Sequence, residues 1–226
     1  MSTVNESISK ILTGGLRFFF QLLYHEFAWT YDWVAWVVSV GRWKEWVLST
    51  LPYLEGPEIL EIGHGPGHLQ VALQRKGIHA YGLDESWQMG QQAYQRLMRA
   101  SLTSYLVCGY AQSMPFSSQQ FSRVVATFPS EYIFTAETVH EIFRILTPGG
   151  SAVILPGAII TGSSIPDRLA RLLFRVTAQA PSDMDKTFIT LFTTPFRKQG
   201  FSVEAVTIHL RSSQVLLVVA RKPILN

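Results

Sequence analysis

The chain has 226 residues, 47% hydrophobic and only 15% charged, with a net charge of +3. That length suits one α/β domain with a sizeable core and room for an added lobe. So mild a positive charge argues against a dedicated nucleic-acid binder, and the single cysteine, Cys108, excludes an internal disulfide framework and a cysteine-based zinc cluster.

Residues 1–15 are polar, lack the basic and apolar regions of a secretory leader, and end in Thr13-Gly14-Gly15. Residues 16–51 read as aromatic-rich helix. Trp29, Trp33, Trp36, Val40, Trp43 and Val47 recur at steps of three and four and share one stripe. The stripe reads as lobe core before it reads as a membrane anchor, and Gly41 is placed to divide the helix in two. The most apolar run, "WVAWVVSV" at 33–40, is far short of the about 20 residues that a membrane span needs. A cytoplasmic protein is expected.

After "GPE" at 56–58 the pattern changes. Apolar runs at 58–63, 79–86, 103–109, 121–128 and 151–158 read as strands. Helical segments at 68–77, 87–100 and 136–146 separate them, the last closed by Thr147-Pro148-Gly149-Gly150. Strands alternating with helices imply a parallel sheet covered on both faces. Residues 159–187 interrupt the alternation with a helix opened near Pro166-Asp167, whose Arg168, Arg171 and Arg175 share a face. That face reads as solvated before it reads as a headgroup site. A helix over 188–201 and two apolar strands, "SVEAVTIHL" and "SQVLLVVARKP", complete the chain.

The stretch "LEIGHGPGHL" at 60–69 places Gly63, Gly65 and Gly67 directly after the first strand. A dinucleotide loop needs G-x-G-x-x-G, but His68 stands where the third glycine belongs; a phosphate loop needs a following Lys-Ser/Thr, which is absent. What remains is a tight turn at the carboxyl end of a strand, open to close backbone approach. Asp84 lies about 20 residues on, where an acid accepts from ribose hydroxyls. A ribose without a pyrophosphate suggests a nucleoside-type cofactor.

With these residues in place, the chain resembles the class I S-adenosylmethionine (SAM) dependent methyltransferases, small-molecule branch, the ubiquinone/menaquinone C-methyltransferases being nearest in look. "LEIGHGPGHL" matches the family's E-x-G-x-G-x-G, and "GLDESWQM" its D-x-S-x-x-M. "GYAQSMPF" (109–116) is similar to G-D-A-x-x-L-P-F, "FRILTPGG" (143–150) to R-V-L-K-P-G-G, and "FRKQGF" to the segment before the last two strands. The resemblance covers about residues 56–222, with the motifs in register.

The resemblance implies a Rossmann-like, doubly wound mixed sheet of seven strands, the last antiparallel. An N-terminal helical lid (1–55) would cover a SAM-binding domain (56–226) carrying a helical insert at about 159–187. It implies that Glu61 orients the loop or receives the SAM amino group through water. Gly63, His64, Gly65 and Gly67 would form the cradle and Asp84 would hold the ribose. Glu85, Met89 and Met114 would flank the adenine, and Thr127 and Phe128 would lie near the methyl donor. Tyr24 and Tyr31 would touch cofactor or substrate, or else belong to the lobe core. Tyr110 replaces the acid that usually bonds the adenine amino group, which leaves that task to Ala111 and Gln112.

The fourth-strand exit, "ATFPSEYI", lacks the [DN]-P-P-[YFW] of enzymes that methylate nucleic-acid amino groups. Cys108 is expected to be buried in the third strand and inert. No cluster of oxygen ligands for a metal is seen. The aromatic lobe points to a small lipophilic acceptor, quinone-, polyketide- or lipid-like, and to peripheral membrane contact. The expected reaction moves the SAM methyl to that acceptor and releases S-adenosylhomocysteine, without metal or nucleic acid. General-base candidates, by position only, are Tyr31, Glu131, Tyr132 and His25. The runner-up is a non-catalytic SAM-binding sensor or assembly protein, supported by Tyr110.

Overall fold

The computed structural model describes residues 41–162, 164 and 186–224. The expected lid before residue 41 (with Tyr24, His25 and Tyr31) and the arginine-faced helix at 166–175 lie outside the described residues.

Along the described chain come α1 (Trp43–Leu48), β1 (Glu58–Ile62), α2 (His68–Arg75), β2 (His79–Asp84), α3 (Trp87–Arg99), β3 (Leu106–Cys108) and β4 (Phe121–Thr127). A 3-10 turn (Glu131–Phe134), α4 (Ala136–Ile145), β5 (Leu146–Ile160), α5 (Lys186–Lys198), β6 (Ser202–Leu210) and β7 (Ser213–Arg221) follow. The seven strands form one sheet in the order β3-β2-β1-β4-β5-β7-β6. β7 runs antiparallel to both β5 and β6, and the remaining pairs are parallel. The doubly wound mixed sheet expected from the sequence is the fold.

Alternation along the strands builds two cores, because successive side chains point to opposite faces. Leu60, Ile62, Val124, Ala126, Ala152 and Ile154 face one side, packed with Ile142 of α4 and Phe196 of α5. Ile59, Ala80, Val125, Val153 and Leu155 face the other, packed with Trp46 and Val47 of α1 and Leu69 and Leu73 of α2. Strands buried on both faces explain why the sequence shows continuous apolar runs there.

β5 begins earlier than expected, because Leu146 already pairs with Phe121 across a register shift. Thr147 through Gly150 therefore lie inside that strand rather than in a separate stop.

The segment 43–54 belongs to the sheet's own core. Trp46 Nε1 donates to Ser213 Oγ at 2.8 Å in a buried bond to β7. Trp43 stacks on Phe128, their centroids 4.1 Å apart. Phe128 has φ of +50°, and Gly41, just before α1, has φ of +75°.

Candidate functional site

The strand order reverses between β1 and β4, where ligands bind in open α/β sheets. The glycine loop leaves β1 at this point. Gly63, Gly65 and Gly67 have φ of +68°, +50° and +81°, left-handed values that glycine alone adopts without strain. A Cβ on Gly65 would meet nothing within 4 Å, so its backbone lies open to a ligand. A Cβ on Gly67 would lie 2.8 Å from Ala93 Cβ. The third glycine thus lets the loop pack against α3.

Across the switch point, the 3-10 turn brings Tyr132 over the loop. A Cβ on Gly63 would lie 2.5 Å from the Tyr132 hydroxyl oxygen. Phe128, at the end of β4, is held by its N–H to the Leu155 carbonyl at 2.7 Å and by its stack on Trp43. Its left-handed backbone is a strained state of the kind that clusters at functional sites.

Beneath the loop, Glu61 is buried on the α2 face. Gln70 Nε2 donates to its Oε2 at 2.9 Å and also to the Tyr81 carbonyl at 3.1 Å. Burial pushes the Glu61 carboxyl up to about 8, against the opposing pull of the Gln70 hydrogen bond; the charge of Asp84 adds to the rise. A group so placed is neutral at pH 7 and is drawn to ionise by a nearby cation.

Asp84, at the end of β2, joins the two motifs. Gly65 N–H donates to its Oδ2 at 2.8 Å, and Ser86 N–H to its Oδ1 at 2.9 Å. Ser86 also caps α3, accepting from Met89 N–H. His64 is buried with its Nδ1 2.7 Å from the Gly65 carbonyl. Its ring lies against Gly82, where a Cβ would stand 2.8 Å from His64 Cδ2. Burial lowers the His64 pKa, and Asp84 pulls the other way.

The loop after β3 presents exposed Tyr110 and Gln112 and buried Ala111 and Met114. It is tied down by a pair the sequence reading missed. Glu141 Oε2 accepts from Met114 N–H at 2.8 Å, while Arg144 donates to the Met114 and Phe116 carbonyls. Arg144 also bonds Glu141 at 2.6 Å and holds its carboxyl below the usual range. The i,i+3 spacing of Glu141 and Arg144 was visible in the sequence; their grip on the loop depends on the fold.

The structure therefore brings Glu61, Gly63, His64, Gly65, Asp84 and Tyr132 together. Thr127 and Phe128 lie at the neighbouring strand end. Glu85 and Glu131 are exposed beside the site, whereas Met89 is buried to 2% and has little surface to offer a ligand.

One expectation is corrected. Cys108 is exposed, with Sγ 3.6 Å from the Glu85 carbonyl, because β3 is a three-residue edge strand with, among the described residues, no neighbour on its outer side. Among the described residues, no group of three or more His, Cys, Asp or Glu could hold a metal ion, and no helix is long and apolar enough to cross a membrane.

SAM carries a sulfonium, an α-ammonium and a ribose diol. The residues present fit it: an open glycine backbone, an acid at the ribose position and a buried carboxyl that a cation would ionise.

Comparison with known proteins agrees. Residues 59–150 match a family model described as a methyltransferase domain. The chain is 31% identical over 116 residues to the uncharacterized methyltransferase YdaC of Bacillus subtilis, covering 49% of this chain and 62% of that one. It is 26% identical over 184 residues to the demethylmenaquinone methyltransferase of Chlorobaculum tepidum, covering 77% and 74%. The chain spans 53–62% of the length of several curated relatives it matches, YdaC among them. Among solved structures, Haemonchus contortus phosphoethanolamine N-methyltransferase 2, in complex with phosphomonomethylethanolamine and S-adenosylhomocysteine, superposes with a TM-score of 0.57. Its identity is 16%, with coverage of 81% of this chain and 53% of that one. At that identity the likeness speaks to the fold alone.

Proposed function

We propose that this chain, which belongs to the class I SAM-dependent methyltransferases, transfers the SAM methyl group to a small lipophilic acceptor. The acceptor would be of quinone, polyketide or lipid type, and S-adenosylhomocysteine would be released. The observation that carries the reading is the convergence of the open Gly63–Gly65 backbone, Asp84 and buried Glu61 at the switch point.

When bound, the cofactor supplies a methyl group already activated on a sulfonium, so the protein must mainly hold reactants in line in a dry site. Asp84 would fix the ribose while keeping the loop closed through Gly65. Glu61 would ionise toward the cofactor's ammonium. Ala111 and Met114, fastened by Glu141 and Arg144, would wall the adenine, and Tyr110 and Gln112 would sit at its open edge. Tyr132 is the sequence-stated base candidate that lies against the loop, and its hydroxyl would orient the acceptor or take its proton.

The lipophilic acceptor is supported by the aromatic segment before residue 41 and by the low share of charged residues. The demethylmenaquinone methyltransferase relative supports it as well. A cytoplasmic protein touching membrane surfaces fits the same features.

Titration calorimetry with SAM and S-adenosylhomocysteine tests the cofactor. Release of S-adenosylhomocysteine during incubation with hexane-soluble and water-soluble cell extracts tests the acceptor. Micromolar binding with turnover on the hexane fraction is expected. Turnover on the aqueous fraction alone overturns the lipophilic acceptor, and tight binding without turnover on either overturns the transferase reading.

A further inference from the structure

A cleft of about 330 Å³ opens between α3 and the edge strand β3, on the face of the sheet that carries α2. Trp87, Gly90, Gln91 and Tyr94 line it from the helix, and Ser104, Leu106, Val107 and Cys108 from the strand side. His64, Asp84 and Ser86 form its inner end. The cleft shares His64 and Asp84 with the proposed cofactor site, but none of Glu85, Met89, Ala111, Gln112 and Met114, proposed around the adenine, lines it. We propose that this cleft is a second ligand site, for an uncharged planar aromatic molecule bearing a hydroxyl or N–H donor.

Three observations carry this. First, α3 is two-faced in an unusual way. Met89, Ala93 and Leu97 are buried to 0–2% and fasten the helix. The opposite face leaves Trp87 64% and Tyr94 52% exposed. These aromatics stand two turns apart, about 10.5 Å along the axis, on either side of the opening. Large exposed aromatics around a concavity mark binding surfaces.

Second, Gly90 lies between them inside the helix, where glycine is among the least favourable residues. Its φ is not left-handed, and a Cβ would meet nothing within 4 Å. Neither backbone conformation nor packing calls for glycine there. Its local effect is to keep the cleft wide between two rings.

Third, the inner end offers a specific polar group. The Gly65 carbonyl can only accept, so His64 carries its proton on Nδ1, and Nε2 is left as an acceptor. His64 is 96% buried, in a setting that favours the neutral ring. Asp84 already accepts two backbone N–H groups, and among the described residues no lysine or arginine lines the cleft. The described lining thus gives an anion such as phosphate no cationic partner, whereas a neutral ligand would donate to the His64 ring at the inner end. The volume lies at the small end of ligand pockets, about 300–1,000 Å³, and suits a fused two-ring molecule.

Cys108 lines the cleft and is the chain's single cysteine, which makes it a clean reporter. The probe is 2-naphthol, with naphthalene as the partner lacking a donor. The readout is the rate of N-ethylmaleimide labelling by intact mass, on the full chain, with and without saturating S-adenosylhomocysteine. 2-Naphthol should slow labelling at least fivefold, naphthalene much less, and S-adenosylhomocysteine should leave the 2-naphthol protection within twofold. Gly90→Leu, which favours helix while filling the cleft, should abolish the protection and leave S-adenosylhomocysteine binding within twofold; Ser104→Leu fills it from the strand side. Equal protection by both probes overturns the His64 contact. Absence of protection at the solubility limit overturns the site, as does protection that survives in both variants. Displacement by S-adenosylhomocysteine makes the cleft part of the cofactor site and overturns it as a second one. Failure of S-adenosylhomocysteine to bind speaks against the proposed function and leaves the labelling result standing.

Discussion

Two buried ionisable side chains stand in the two halves of the sheet, and their settings differ. Lys222, just after β7, is 7% exposed. Its Nζ donates to the Phe143 and Leu146 carbonyls at 2.8 and 2.7 Å and lies 4.7 Å from the centre of the Phe143 ring. Those carbonyls close the C-terminal end of α4, where a cation is favoured. Glu61, under the glycine loop, has among the described residues one side-chain hydrogen bond and no cation, and the neighbouring Asp84 charge disfavours its ionisation. The lysine completes the fold; the glutamate meets no cation among the described residues. Stability and the proposed ligand recognition thus fall at different ends of one sheet.

Substitutions can break that division, and the largest effect is expected at Asp84. Asp84→Ala removes the proposed ribose acceptor and the clasp on Gly65 and Ser86, and should weaken SAM binding at least 100-fold by calorimetry. Lys222→Met should cost about 2–3 kcal/mol of stability in urea unfolding, by leaving two carbonyls unbonded, with the SAM dissociation constant unchanged. If SAM binding falls instead, the two ends are coupled.

Glu61→Gln should weaken SAM about tenfold at pH 8, a loss of about 1.4 kcal/mol. The pH dependence sharpens this. The native Glu61 carboxyl titrates near 8, the unfolded one near its ordinary 4.5. Between those values the native state holds the extra proton, so this group's stabilisation is full below 4.5 and is lost as pH rises through about 8. The melting temperature of the ligand-free protein should fall from pH 5 to pH 8.5 more steeply than in Glu61→Gln. A SAM ammonium that favours the ionised form should make stabilisation by SAM grow over the same range. The smallest effect is expected for Tyr132→Phe, a several-fold loss in kcat with SAM affinity held. An unchanged kcat would remove the Tyr132 hydroxyl from the reaction.

The strand sequence, the glycine loop and Asp84 were legible because each is local: a periodicity, a turn that demands glycine, a spacing along one βαβ unit. Trp46 was missed for a definable reason. The stripe takes in Trp43 and Val47 and leaves Trp46 off its face, whereas in α1 both Trp46 and Val47 are buried against the sheet. Cys108 was misread because burial in a strand depends on its place in the sheet order, and β3 is the edge. The clasp of Gln70 on Glu61 and the hold of Glu141 and Arg144 on the 109–116 loop join residues brought close only by the fold. His64 against Gly82 had a faint local sign, a glycine within a strand, which often marks close approach.

The antiparallel β7 bears on how this domain can be divided. The matched stretch, residues 59–150, contains every motif proposed to hold the cofactor, yet the central β5 takes its second neighbour from residues 213–221. Trp46, anchored to Ser213, and Trp43, resting on Phe128, brace the same sheet from upstream. A fragment cut to the matched stretch would lose β5 beyond Gly150 together with β7, and would carry the recognisable signature on an open-sided sheet with β4 exposed as an edge and prone to pair with other chains. Grafts and chimaeras built on this fold should therefore exchange whole sheets, from α1 through Lys222, rather than the segment by which the family is recognised.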